Sequence, residues 1–95
     1  MNAELERFIS IYLHLEEAYD TSGTLRPTLM AFGDPFINGV RTGLQEVLRE
    51  RNVSVGDYER MTDIEFPDEE TLYEYLQGMY EYLFGEGMKQ PVPPE

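Results

Sequence analysis

The 95-residue chain has no cysteine and a single histidine, His14. That excludes disulfides, thiolate nucleophiles and cysteine metal sites, and agrees with a reducing compartment. A serine or threonine nucleophile needs a base, yet His14 falls on the polar face of the predicted first helix, where a solvent-exposed histidine is expected. A histidine-built metal site needs more than one. Acids show no EF-hand spacing around a central glycine. Gly33-Asp34-Pro35 lacks the repeat and the basic residue of a phosphate-cradling loop. No stretch approaches the roughly 20 apolar residues that span a bilayer. Met1-Asn2-Ala3-Glu4 has neither a basic leader nor an apolar run with a small-residue cleavage site. The expectations are a non-enzyme without cofactor or metal, cytoplasmic and without membrane or direct nucleic-acid contact.

Bases are also scarce: 7 against 19 acids, a formal net charge of −12. The imbalance is uneven. Residues 1–56 carry 8 acids and 5 bases, whereas residues 57–95 carry 11 acids and 2 bases. Such a field repels nucleic acids and anionic membranes, steers cationic partners inward and accelerates encounter. The paired carboxylates Glu16-Glu17 and Asp68-Glu69-Glu70 fit a wet helix face and a helix-dipole start better than general acid–base chemistry.

The remaining composition is that of a folded chain, 41% hydrophobic and 13% aromatic, just large enough for one core. Asn2 caps a first helix over about Ala3 to Tyr19, with Glu4 and Glu6 in its first turn. Leu5, Phe8, Ile9, Tyr12, Leu15 and Tyr19 form its apolar stripe, widened by Ile11, Leu13 and Ala18. Asp20-Thr21-Ser22-Gly23 reads as a turn. Residues 24–33 are either a short helical turn opened by Pro27 and stopped by Gly33, or an extended connector packing Leu25, Leu29, Met30 and Phe32. Asp34 as capping carboxylate and Pro35 at the first helical position start a second main helix, striped by Phe36, Val40, Leu44, Val47 and Leu48 to about Arg51, with Asn52 taking the left-handed close. Gly39 and Gly43 within it each cost about 1 kcal/mol relative to alanine, which calls for a reason: a close helix crossing first, a partner contact at that face second.

Ser54 and Asp57 approximate a capping box for a short helix through Met61. Residues 62–67 are a connector, with Ile64 and Phe66 alternating with acids in a brief strand-like pattern. Asp68-Glu69-Glu70 opens the last helix, striped by Leu72, Tyr75, Leu76, Met79 and Leu83 and stopped by Gly85 and Gly87. The predicted fold is all-α: a small bundle of three main helices with one or two short connecting helices. Residues 1–88 form a single domain, and 89–95 a flexible Pro-rich tail.

Tyr73-Glu74-Tyr75-Leu76 recurs seven residues later as Tyr80-Glu81-Tyr82-Leu83. Two helical turns separate the copies, so both present the same faces. Tyr75 belongs to the core stripe. Tyr73 and Tyr80 share a flank that serves either bundle packing or partner contact, since a tyrosine at an edge buries its ring and leaves its hydroxyl available. Glu70, Glu74 and Glu81 supply charge beside them, and Asp57, Tyr58, Glu59, Asp63 and Glu65 extend the face. These residues are the expected partner-binding set.

In size, charge, lack of cysteine and tyrosine-with-acid helix, the chain resembles small acidic helical bacterial toxin-immunity proteins. That resemblance covers the whole chain at the level of a class and rests on no diagnostic motif. It implies tight binding to a basic toxin domain, often a nuclease, with occlusion of its active site or an adjacent surface. Two alternatives carry different expectations. A phage-type DNA mimic needs acids spread like phosphates along a surface, whereas these cluster in one third of the chain. A structural oligomerisation module would pair the heptad copies, but two heptads are short and like charges repel. The expected state is a monomer or weak dimer.

Overall fold

The first helix, α1, spans Ala3–Tyr12 and stops seven residues before the predicted end. The computed structural model, which describes residues 1–94, shows the cause. The Leu13 amide still bonds Ile9, but the Leu15 amide donates to the carbonyl of Thr62, 2.9 Å away. His14 Nε2 meets Asp63 at 3.1 Å. Contacts with a distant segment replace the next helical turn, and tertiary pairing overrides propensity. The stripe therefore breaks: Leu13 and Ala18 are buried, whereas Leu15 and Tyr19 are 44% and 37% exposed.

The second helix, α2, spans Leu25–Met30 and buries Leu25 and Leu29. The short-helix alternative for residues 24–33 is the one adopted. Pro27 is the third residue of α2, where an amide has no intrahelical partner to lose. The third helix, α3, spans Asp34–Glu50, with Gly33 at the N-cap position that Asp34 was expected to fill. Arg51, not Asn52, takes the left-handed close, at φ 49°. Its side chain explains the shift of one residue, because the guanidinium stacks 4.3 Å from the Tyr73 ring centroid and pairs with Glu69.

α3 packs against α1 through its two glycines. The Asn2 side chain accepts the Leu5 amide at 2.8 Å to cap α1, and donates to the Gly39 carbonyl, also at 2.8 Å. A Cβ on Gly39 would lie 2.6 Å from Glu4 Cγ, and one on Gly43 would lie 2.9 Å from the Cβ of fully buried Leu5. The crossing has no room for a methyl group. Gly43→Ala is expected to lose about 1–2 kcal/mol net, overpacking of about 2–3 outweighing about 1 gained in helix propensity. Gly56→Ala, whose added Cβ meets nothing nearer than 3.8 Å, is expected to stabilise by up to about 1 kcal/mol. Urea denaturation of both variants checks the pair; equal gains would contradict the tight crossing.

The fourth helix, α4, spans Val55–Thr62 and opens on a complete Ser54–Asp57 capping box. Buried Thr62 donates its hydroxyl to the Tyr58 carbonyl and accepts from the Ile64 amide, so its own hydroxyl is satisfied. Ile64 and Phe66 then plug the core as an irregular connector, with no strand among the described residues. The fifth helix, α5, spans Glu69–Phe84; its N-cap Asp68 accepts the Thr71 amide at 2.7 Å. Every residue of its predicted stripe is buried, and α5 lies along α3 on the side away from the glycine crossing. The fold is a small all-α bundle of five helices. Beyond α5 the chain turns back over residues 19–20: Gln90 donates to the Asp20 carbonyl, Tyr19 donates to that of Pro94, and Pro93 is buried.

The candidate interface: an acidic edge on the last helix

Two of the tyrosines expected at the interface lie inside the bundle. Tyr58 is wholly buried, edge-on to Phe66 and Tyr75 at 5.4 and 6.4 Å between centroids. Tyr73 is 4% exposed, and its hydroxyl donates to the Val53 carbonyl while accepting the Val53 amide, at 2.9 and 3.0 Å. Neither ring can anchor a partner. Tyr80 alone of the three is partly open; its hydroxyl accepts from Gln45 Nε2 at 2.8 Å, and its ring packs on Phe84.

The chain's own arginines cover the rings around the repeat. Arg51 stacks over Tyr73, Arg41 over Phe84 at 4.9 Å, and Arg26 over Tyr82 at 4.4 Å. Arg26 also donates to the carbonyls of Tyr82 and Gly87, at the end of α5. Cation–π contact of this kind contributes about 0.5–1 kcal/mol at half-open sites. Three of the seven basic residues are thus engaged on rings of α5, Arg26 and Arg41 away from its carboxylate edge and Arg51 at one end of it.

That edge is left to the acids. Glu70, Glu74, Gln77 and Glu81 follow i, i+4, i+7, i+11 spacing, a line about 16 Å long at 1.5 Å per residue. With Leu48 and Arg51 of the α3 end, Tyr73 and Gly78, they line an open groove of roughly 490 Å³. Among the described residues no ion pair engages Glu70, Glu74 or Glu81. Arg51, the one cation in the groove, is committed to Glu69 and the Tyr73 ring.

The other expected residues do not join this groove. Asp57 closes the α4 capping box, pairs with Arg60 and lines a separate hollow with Glu6 and Met61. The Ser54 amide and hydroxyl hold its carboxyl below the ordinary value. Asp63 caps α4 in left-handed conformation and meets His14, which is partly buried and not fully solvated as expected. Glu59 and Glu65 are exposed and line no part of the groove. Gln77, Leu48 and Arg51 were missed. Periodicity alone places Gln77 on the Glu74 edge, whereas Leu48 and Arg51 require knowing how α3 docks on α5.

Chemically, the edge offers unpaired carboxylates and an amide around a little apolar floor, a surface suited to cations. Among the described residues, no group of three or more acidic, histidine or cysteine side chains converges to hold a metal ion. No described helix is long and apolar enough to cross a membrane. No protein-family model, curated protein or solved structure matches the chain.

Proposed function

We propose that the chain is a non-catalytic binding protein that docks a cationic protein surface through the Glu70–Glu81 edge of α5. Its most concrete form is an immunity protein that neutralises a basic toxin domain by covering its active site or an adjacent surface. The supporting observation is the separation of charge: three carboxylates lie unpaired along one helix edge, while Arg26 and Arg41 are engaged on rings elsewhere and Arg51, at the groove's end, is committed to Glu69 and the Tyr73 ring. Carboxylates at such an edge steer encounter and pair with Lys or Arg, so added salt should slow association more than it speeds dissociation. Tyr58 and Tyr73 take no part in this reading; Tyr80 is the ring left to contribute beside the acids.

Co-expression with the product of the adjacent gene provides the test. The wild-type chain is expected to protect the host cell, and the purified pair to form a complex. Glu70→Gln/Glu74→Gln/Glu81→Gln is expected to weaken that complex at least tenfold with an unchanged urea midpoint, and Tyr80→Ala or Glu74→Ala alone by about 1–3 kcal/mol. A neighbouring product that is neither bound nor neutralised overturns the immunity reading. A complex indifferent to the triple change removes this edge from it.

A further inference from the structure

Carboxylates at an exposed edge draw a cationic partner in, but such charges contribute to rate and specificity more than to affinity. Tight interfaces take most of their binding free energy from a few large side chains buried in pockets beside such a rim. Tyr58 and Tyr73 are buried in the bundle and supply no anchor. The apolar surface continuous with the edge lies on the other flank of α5, where the returning C-terminal segment builds it.

Gly78 lines the acidic groove, and a Cβ placed on it would lie 3.5 Å from the Pro91 ring, so Pro91 packs over α5 at this point. Pro91 also borders a hollow of roughly 820 Å³, walled by Tyr82, Met88 and Val92 and edged by Thr21 and Lys89. Groove and hollow thus meet across Pro91. Met88 and Val92 are 96% and 48% exposed, although the segment that carries them is tied down along its length. Arg26 donates to the Gly87 carbonyl at 2.9 Å, buried Gln90 to the Asp20 carbonyl at 3.1 Å, and Tyr19 to that of Pro94 at 2.7 Å, while Pro93 is buried. Exposed apolar side chains on an anchored backbone have less entropy to lose when a partner covers them. The volume is ample for one leucine or phenylalanine side chain. Charge decides the occupant. Glu74 and Glu81 stand within about one turn of Gly78 on the same helix, and they favour an apolar side chain flanked by Lys or Arg over an uncharged apolar molecule. A second copy of this chain would bring its own net charge of −12 against the same charge here, which repels.

We infer, resting on the edge reading above, that the hollow beside Pro91 receives an apolar side chain of the cationic partner, one adjacent to the Lys or Arg residues held by the α5 edge. The edge steers the partner in, and the hollow slows its release.

Titration of the isotope-labelled full chain with three helical peptides, followed by amide and methyl NMR, tests this. The first carries a row of arginines with a leucine at each end. The second replaces the leucines by glutamine, and the third keeps the leucines but replaces the arginines by glutamine. The first is expected to bind at least about tenfold more tightly than the second, as burial of one leucine side chain does. Its shifts should extend from residues 70–81 to the Met88 and Val92 methyl groups and the backbone of residues 21 and 23. The third should bind at least about tenfold more weakly than the first, since it lacks the charge that the edge attracts. Met88→Ser/Val92→Ser, a change of two exposed side chains, should bring the first peptide to the affinity of the second and leave the second as it was, at an unchanged urea midpoint. Equal affinity of the two arginine peptides, centred on residues 70–81, overturns the hollow and leaves the edge reading standing. No binding of either overturns the edge reading, and the hollow with it. A leucine advantage that survives Met88→Ser/Val92→Ser, or that maps to the separate apolar hollow at Tyr12, Ala31 and Phe32, overturns the hollow beside Pro91 alone. A third peptide as tight as the first assigns that hollow to an uncharged apolar ligand and also overturns the inference.

Discussion

Tyr73→Ala is expected to cost at least about 3–5 kcal/mol, the range for truncating a buried aromatic ring. That is a large share of the about 5–15 kcal/mol available to a small domain. The ring is buried between α3 and α5, with Arg51 stacked on it. Its hydroxyl satisfies both backbone groups of Val53, so truncation also strands a buried amide and carbonyl. Tyr73→Phe keeps the ring and loses only these two bonds, for an expected cost of about 1–3 kcal/mol. Tyr80→Ala, at the equivalent position of the repeat, should cost about 1 kcal/mol or less, because its ring is partly open and its one bond goes to exposed Gln45. Urea denaturation of the three variants gives the ranking. A Tyr73→Ala loss no larger than that of Tyr80→Ala would return Tyr73 to the surface and contradict the packing described here.

The second large effect is a loss of stability in alkali. Tyr58 and Tyr75 are both buried, and neither hydroxyl finds a hydrogen-bond partner in the protein. Burial first, and the neighbouring Tyr75 second, push the Tyr58 phenol well above its ordinary value of 10.0. Burial likewise raises Tyr75. The folded state holds these protons more tightly than the unfolded chain does. Their contribution to stability is therefore complete below about pH 10 and declines as pH rises toward the folded-state values. Urea midpoints are expected to be flat between about pH 8 and 9.5 and to fall steeply above about pH 10. Tyr58→Phe should cost little at neutral pH, since it removes an unpaired buried hydroxyl, and should lessen the alkaline fall. A wild-type midpoint that holds steady through about pH 11 would contradict the burial of these phenols.

What could be read from the chain, and what could not, divides by the range of the interaction responsible. The Ser54–Asp57 box is decided within four residues and forms as expected; the helix start at Asp68-Glu69-Glu70 is equally local, although Asp68 serves as the cap and not as a first-turn residue. Gly39 and Gly43 announced a close crossing because a helix tolerates two such residues only for cause, and α1 supplies the cause. The end of α1 was misjudged because Tyr12 to Tyr19 continues a sound amphipathic stripe. What stops the helix is the Thr62 carbonyl, forty-seven residues after Leu15. Arg51 took the left-handed close from Asn52 for a similar reason, its partners Glu69 and Tyr73 lying on another helix.

The interface residues follow the same rule. The Glu70, Glu74 and Glu81 line is a consequence of helical period and was legible in full. The assignment of Tyr58 and Tyr73 to that face was not safe, because a tyrosine serves a core as readily as a rim when a backbone group meets its hydroxyl. Val53 does so for Tyr73, across a connection of twenty residues. Asp57 and Asp63 were grouped with the interface by charge alone, although local capping and His14 already occupy them.

The claim that these conclusions share is that the acids of α5, and not the acidity of the whole chain, form the docking surface. Amide NMR of the labelled chain during titration with an arginine-rich helical peptide, at moderate salt, addresses it most directly. Saturable shifts concentrated on residues 70, 74, 77 and 81 and on the facing end of α3, abolished in Glu70→Gln/Glu74→Gln/Glu81→Gln, are the predicted result. Small shifts spread evenly over Glu16, Glu17, Glu59, Glu65 and the α5 acids alike, unaffected by the triple change, would contradict it.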